Sequence, residues 1–189
     1  MHAIADPPVS RHRISVTDYY RMGDVGILHE DDRVELIEGD IIDMTPIGSA
    51  HASVVMRLAK LCIAAVGDSA IVSVQYPIRL DAYSEPQPDL ALLRPRQDYY
   101  RAAHPEPGDV LLVVEVADTG LAYDRGTKVP LYARHGIPEV WVLDLRGRLM
   151  HSYRQSRQDG YELVETVAQA GSVAFAGLGG VVLDLSGLF

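Results

Sequence analysis

Gln87-Pro88-Asp89-Leu90-Ala91-Leu92-Leu93 and Val113-Val114-Glu115-Val116-Ala117 decide the fold: each is a short apolar run carrying one acidic residue. Such runs, bounded by Pro or by polar residues, read as buried strands. An ionised carboxylate on a buried strand is costly unless something pairs with it. Set as antiparallel neighbours, the first strand opens on Asp89 and the second nearly closes on Glu115, so both acids fall at one end of the sheet. The loop after Glu115 is short and returns a helix whose first turn carries Lys128, which can then approach both carboxylates. Two carboxylates, the backbone carbonyl of Val116 and waters form a hard oxygen set that suits Mg²⁺ or Mn²⁺ rather than zinc. Such a site binds phosphate oxygens and lowers the pKa of a bound water, and a lysine beside it orients that water or stabilises charge gathering on phosphorus. The matching reaction class is phosphodiester hydrolysis. A buried Asp–Lys–Glu cluster that only holds a fold together has the same residue types, and residues alone leave both readings open.

The chain has 189 residues, about one domain's length, and is 48% apolar, enough for a sizeable core. Its formal net charge of −9 argues against a protein that coats nucleic acid through a general basic surface, though not against an enzyme meeting phosphates at one metal-bearing patch. The single cysteine, Cys62, excludes an intramolecular disulfide and a cysteine zinc site, and reads as a core residue. With no run of about 18 apolar residues and no signal-peptide pattern, a soluble cytoplasmic protein is expected.

Residues 1–13 hold two consecutive prolines and no apolar period, and read as a mobile tail before one domain spanning 14–189. Ser15 to Gly23 reads as a short capped helix. Arg33 to Glu38 and Ile41 to Met44 flank Gly39-Asp40 as a hairpin. Glu35 and Glu38 then fall on opposite faces, so at most one of them faces a buried site. A helix of about 16 residues, His51 to Val66, carries Val54, Val55, Leu58, Leu61, Cys62 and Ala65 as its buried stripe, with His51 in its first turn. Strands follow at 70–75, 78–80, 89–93 and 109–115. The excursion 94–108, with three arginines, two tyrosines and three prolines, reads as a solvated loop. Residues 117–123 read as a loop, and the next helix starts near Thr127 because Pro130 is tolerated in a first turn. Glu139 to Asp144 is a strand, Leu149 to Tyr153 belongs to a hairpin, and short strands with Gly-rich turns complete the chain. Tyr132 reads as packing, Glu139 as a structural ion-pair partner, Trp141 as core or dimer interface, and His104 and His151 as surface.

Val34-Glu35-Leu36-Ile37-Glu38-Gly39-Asp40-Ile41 resembles the opening hairpin of the Uma2 (DUF820) family of endonucleases. Pro86-Gln87-Pro88-Asp89-Leu90, Val114-Glu115-Val116, the run Tyr123 to Tyr132, and Gly136 to Asp144 resemble that family's later segments, in order and at its spacing, from about residue 14 to the C-terminus. The resemblance implies an α/β (α+β) restriction-endonuclease-like fold of the PD-(D/E)xK superfamily. That fold has a central mixed β-sheet flanked by helices, here with an N-terminal hairpin and extra C-terminal strands. It implies Asp89 and Glu115 as metal ligands and Lys128 as the catalytic lysine. His51 matches the family's histidine at the head of the first core helix and is a candidate for the site's edge with Glu38; Glu38 and Glu35 both match the hairpin, where a structural or site-edge role is open. One departure from the superfamily is Ala117, which stands where the strand motif carries lysine; Lys128 on the following helix replaces it, as is usual in this family. The expectation is a Mg²⁺- or Mn²⁺-dependent endonuclease acting on DNA as a homodimer, in which Lys128→Ala abolishes cleavage without unfolding. The alternative is a catalytically silent nuclease-fold protein that binds or regulates a partner.

Overall fold

The computed structural model of the chain describes residues 10–29, 31–168 and 171–189. The expected tail therefore lies, over residues 1–9, outside the described residues. Its remainder is tied down: Arg11 pairs with Asp40 at 2.9 Å and the Arg13 guanidinium donates to the Glu38 carbonyl at 2.8 Å. Ser15 caps α1 (Val16–Asp24), its hydroxyl accepting from the Asp18 N–H. β1 (Val34–Ile37) and β2 (Asp40–Asp43) form the hairpin, but the two-residue turn is Glu38-Gly39, one position earlier than Gly39-Asp40. Both turn residues have positive φ, 52° and 88°, as a tight hairpin turn of this length requires.

α2 (Ser49–Val66) buries Val54, Val55, Leu58, Cys62 and Val66, while Ala65 of the expected stripe is exposed. By length and composition the stretch Ser49–Ser69 could cross a membrane; in this fold its apolar stripe packs on the sheet instead. β3 (Ile71–Val74), β4 (Leu90–Leu93) and β5 (Val110–Ala117) follow, antiparallel in turn. The stretch 78–80 is not a strand. Ile78 and Leu80 are buried anchors, and their N–H groups go to the Pro86 and Ser84 carbonyls rather than to a ladder.

The helical crossover begins at α3 (Leu121–Tyr123), passes through a π-helical turn, Asp124–Lys128, and continues as α4 (Val129–Arg134). The helix thus starts about two turns before Thr127, and Lys128 lies in its middle rather than its first turn. Pro130 has no N–H to give to a preceding turn. The wider turn before it, in which the Val129 N–H reaches back to the Asp124 carbonyl, lets the helix run through. β6 (Glu139–Asp144) is parallel to β5, and β7 (Leu149–Arg157) and β8 (Gly160–Ala168) extend the sheet antiparallel. The strand order is β3-β4-β5-β6-β7-β8. β9 (Ser172–Ala174) and β10 (Val182–Asp184) form a separate antiparallel pair.

Every residue of β5 is buried, and its alternation divides the interior. Leu112, Val114 and Val116 join α2, Trp141 and the C-terminal strands on one face. Val113 and Ala117 join Ile37, Leu131, Tyr132 and Val142 on the other. Glu115 shares the parity of the second set, so its carboxylate is delivered to the face covered by the crossover helix and the hairpin.

Candidate active site

With Leu90 opposite Val114, Asp89 arrives beside the C-terminal end of β5, and the expectation of antiparallel neighbours holds. One carboxylate oxygen of Asp89, Oδ2, accepts the Val116 N–H at 2.8 Å. The other, Oδ1, is bonded to His51 Nε2 at 2.8 Å and to the Gln75 amide at 3.3 Å. The hydrogen bond to Asp89 raises the His51 pKa against the opposing effect of burial. The first turn of α2 is thereby fastened to the sheet.

Lys128, its side chain only 5% exposed, points its ammonium at Glu35 Oε2 (3.0 Å) and Glu115 Oε1 (3.2 Å). The Tyr132 hydroxyl donates to that same Oε1 at 2.6 Å, and Glu35 Oε2 also accepts the Gln87 N–H at 3.1 Å. Burial alone would lower the Lys128 pKa; Glu115, Glu35 and Asp124 override it and hold the ammonium charged. Burial holds Glu115 well above the ordinary carboxylate range even with Lys128 beside it, and Asp124, Asp89 and Glu35 add to the rise. Asp124 is likewise pushed by burial up to about 6.

Of these groups Glu35, His51, Gln87, Asp89, Glu115, Val116, Asp124 and Lys128 line one cleft of about 440 Å³. Six carboxyls, Glu35, Asp43, Asp89, Glu115, Asp118 and Asp124, line it with one ammonium, the Arg33 guanidinium and one imidazole, so the cleft is short of positive charge. No donor among the described residues reaches Glu115 Oε2. Asp89, Glu115 and Val116, the ligand set expected from the sequence, all border this cleft. Among the described residues no three His, Cys, Asp or Glu side chains are grouped to hold an ion by themselves. An ion here would lean on carboxylates, a carbonyl and waters or substrate oxygens, which is how Mg²⁺ is usually held. The residues fit such an ion. A larger groove of about 660 Å³ lies between α2 and β3; it is apolar, with Met56, Ile63 and Val74 in its walls, and of the groups named above only Gln75 borders it.

Asp89, Glu115, Val116, Lys128 and His51 are therefore brought together. Glu38 is not. It sits in the hairpin turn, pairs with Arg134 at 2.9 Å near the surface, and lies outside the cleft; Glu35 occupies the inward position. Its signal is strand parity: Glu35 shares a face of β1 with the buried Ile37, whereas Glu38 falls where the chain reverses. Tyr132 was read as packing and supplies a hydrogen bond as well. Asp124, four residues before Lys128, had helical spacing as its only signal. Glu139 pairs with neither Lys128 nor an arginine side chain: its oxygens accept the Trp141 indole N–H (2.8 Å) and the Ala176 N–H (3.1 Å). Trp141 is core, edge-on to Phe175. His151 is buried rather than on the surface, bonded to Thr166 of the neighbouring strand β8. His104 is half-buried and stacks on Tyr20.

A mixed sheet with a parallel central pair, a helix on each face and acidic residues at the ends of two adjoining strands defines a restriction-endonuclease-like fold. The Uma2 family model, described as "Putative restriction endonuclease", matches residues 16–186, and the chain belongs to that family. A solved structure described as "a putative nuclease belonging to DUF820 from Anabaena variabilis ATCC 29413" superposes with a TM-score of 0.73 at 17% identity, over 93% of this chain and 97% of that one. At that identity it speaks for the fold. No curated protein matches the chain significantly.

Proposed function

We propose that the protein is a metal-dependent endonuclease that hydrolyses phosphodiester bonds of DNA at the Asp89–Glu115–Lys128 cleft. The observation that carries this reading is the convergence of Asp89, Glu115, Glu35 and Lys128, from two sheet strands, the hairpin and the crossover helix, on one charge-deficient cleft. Asp89, Glu115 and the Val116 carbonyl would hold a Mg²⁺ or Mn²⁺ ion, which supplies Lewis-acid activation of water and phosphate. Lys128 offers an ammonium to the charge that gathers on the phosphate, and Glu35 aims it from the hairpin. His51 and Gln75 fix the Asp89 carboxylate. Cutting both strands of a duplex calls for two such sites, so a cytoplasmic homodimer belongs to this reading.

A second reading, a silent nuclease-fold protein that binds or regulates a partner, draws on one observation: the Lys128 ammonium is already held by two carboxylates, as in a structural ion-pair cluster. Incubation with single-stranded and duplex DNA and Mg²⁺ or Mn²⁺ separates the two. The wild type is expected to cleave, EDTA to stop it, and Lys128→Ala to be inactive. Metal binding without cleavage of any substrate supports the silent reading, and equal cleavage by wild type and Lys128→Ala identifies a contaminant.

A further inference from the structure

The two oxygens of the Glu115 carboxylate are treated differently by the protein. Oε1 receives both the Tyr132 hydroxyl and the Lys128 ammonium. Oε2 receives no donor from the described residues. The tyrosine bond, at 2.6 Å, is at the short end for an O–H···O contact, while the lysine contact at 3.2 Å is long for an ammonium. Tyr132 lies four residues beyond Lys128, on the same side of the helix, which is why both can reach one atom. Its ring is fully buried in the core shared with Leu131, Val140 and Val142, so the hydroxyl has little freedom to move. The lysine, by contrast, is a flexible chain divided between two carboxylates. If position 132 had only to fill space, a phenylalanine would do so without setting a hydroxyl against a charged group.

From this arrangement we infer that Tyr132 is a positioning residue: its hydroxyl pins Oε1 of Glu115 so that Oε2 is presented to the cleft as a ligand oxygen for a divalent cation. The inference rests on the metal-site reading above and adds to it a residue that touches neither metal nor substrate. Groups that orient ligands from behind commonly control metal affinity by about 10- to 100-fold. Removing the hydroxyl leaves Glu115 held by lysine alone and free to turn about its last torsion.

The test compares Tyr132→Phe with Tyr161→Phe. Tyr161 is another tyrosine whose hydroxyl is engaged, donating to the Ile137 carbonyl at 2.9 Å, away from the cleft. Mn²⁺ affinity is read by calorimetric titration, thermal stability by circular dichroism, and cleavage by kcat and KM. Tyr132→Phe is expected to bind Mn²⁺ about 10-fold or more weakly and to lose kcat with KM for DNA little changed. Tyr161→Phe is expected to keep wild-type Mn²⁺ affinity whatever happens to its Tm. Wild-type Mn²⁺ affinity in Tyr132→Phe overturns the inference, and so does an equal loss in both variants. A Tyr132→Phe chain that is unfolded at the assay temperature also overturns it, because the hydroxyl is then a stability element. If the wild type itself binds no Mn²⁺, the metal-site reading falls first and this inference with it; that failure is visible before any substitution is made.

Discussion

The two faces of the central sheet each bury one glutamate, and the pair separates a structural carboxylate from one arranged for chemistry. Glu139 is 2% exposed and Glu115 is 3% exposed. Burial raises the pKa of both. On the α2 face, Glu139 spends each of its oxygens on a neutral donor, the Trp141 indole and the Ala176 N–H, and so joins the C-terminal segment to β6. On the α4 face, Glu115 gathers an ammonium and a phenol onto one oxygen and leaves the other open, among carboxyls that disfavour its charge. A saturated carboxylate holds a fold together. A half-saturated one in an acidic cleft is, on the metal-site reading proposed above, the one a divalent cation would take.

The largest effect expected from breaking this contrast is at Lys128. Lys128→Ala should lower DNA cleavage by more than about 100-fold, the scale for losing a transition-state charge partner. It should also cost about 3–5 kcal/mol of stability at neutral pH, because it strands Glu35 and Glu115 without their buried counter-charge. The sequence-based expectation that this variant leaves the fold untouched is revised by that burial. Urea titration measures the second effect, and Glu35→Gln in the same background should recover part of it.

Next come the two glutamates themselves. Glu115→Gln should abolish cleavage while changing stability little, since it removes an unfavourably buried charge along with a partner for Lys128. Glu139→Gln should leave cleavage intact and cost about 1–3 kcal/mol, because an amide can accept at only one of its two ends and turns a donor toward an N–H at the other. Steady-state kinetics and chemical denaturation on the two variants would show this double dissociation. Similar profiles for both would remove the distinction between the faces.

Much of this division can be read from sequence because charges in apolar runs are conspicuous: Asp89 and Glu115 each interrupt one, and Lys128 heads the segment Val129-Pro130-Leu131-Tyr132. What escaped depended on the backbone between elements. The hairpin turn falls on Glu38-Gly39, with positive φ at both positions although glutamate rarely adopts it, and this takes Glu38 out of the strand while Glu35 stays on its buried side. The start of the crossover helix was displaced because a proline at position 130 reads as a helix beginning, whereas a π-helical turn absorbs it. Ile78 and Leu80 alternate like a strand but bond to a neighbouring loop. Tyr132 reads as apolar from its spacing, and only the fold shows that its hydroxyl ends on a carboxylate.

A smaller effect is expected in the pH dependence of stability. Burial holds Asp124 up to about 6 and Glu115 above the ordinary range, so the folded chain binds more protons than the unfolded chain once pH exceeds the ordinary carboxylate values. Stability from these groups is fully present below that point and is lost as pH rises through about 6 for Asp124, and further up for Glu115. Calorimetric Tm between about pH 4 and pH 8 should therefore fall more steeply in wild type than in Asp124→Asn. Mn²⁺ at about 100 times its Kd should add about 2.7 kcal/mol, and more at the alkaline end, where the carboxylates are free of protons. A Tm rising across this range in the metal-free wild type would contradict the buried-acid account.

The smallest effect is expected at Glu38, and it tests the register of the hairpin. Its pairing with Arg134 is exposed, and such pairs contribute about 0–1 kcal/mol. Alanine keeps the Cβ that the positive φ already tolerates there, so Glu38→Ala adds no new backbone strain. Cleavage by Glu38→Ala should match wild type, while Glu35→Gln, three residues earlier, should lower it about 10-fold or more by stripping one of the two charges that aim Lys128. If instead Glu38→Ala were the damaging change, the hairpin would have to sit one residue out of register, every inward side chain of β1 would turn outward, and the cleft would lose the carboxylate that Lys128 meets at 3.0 Å.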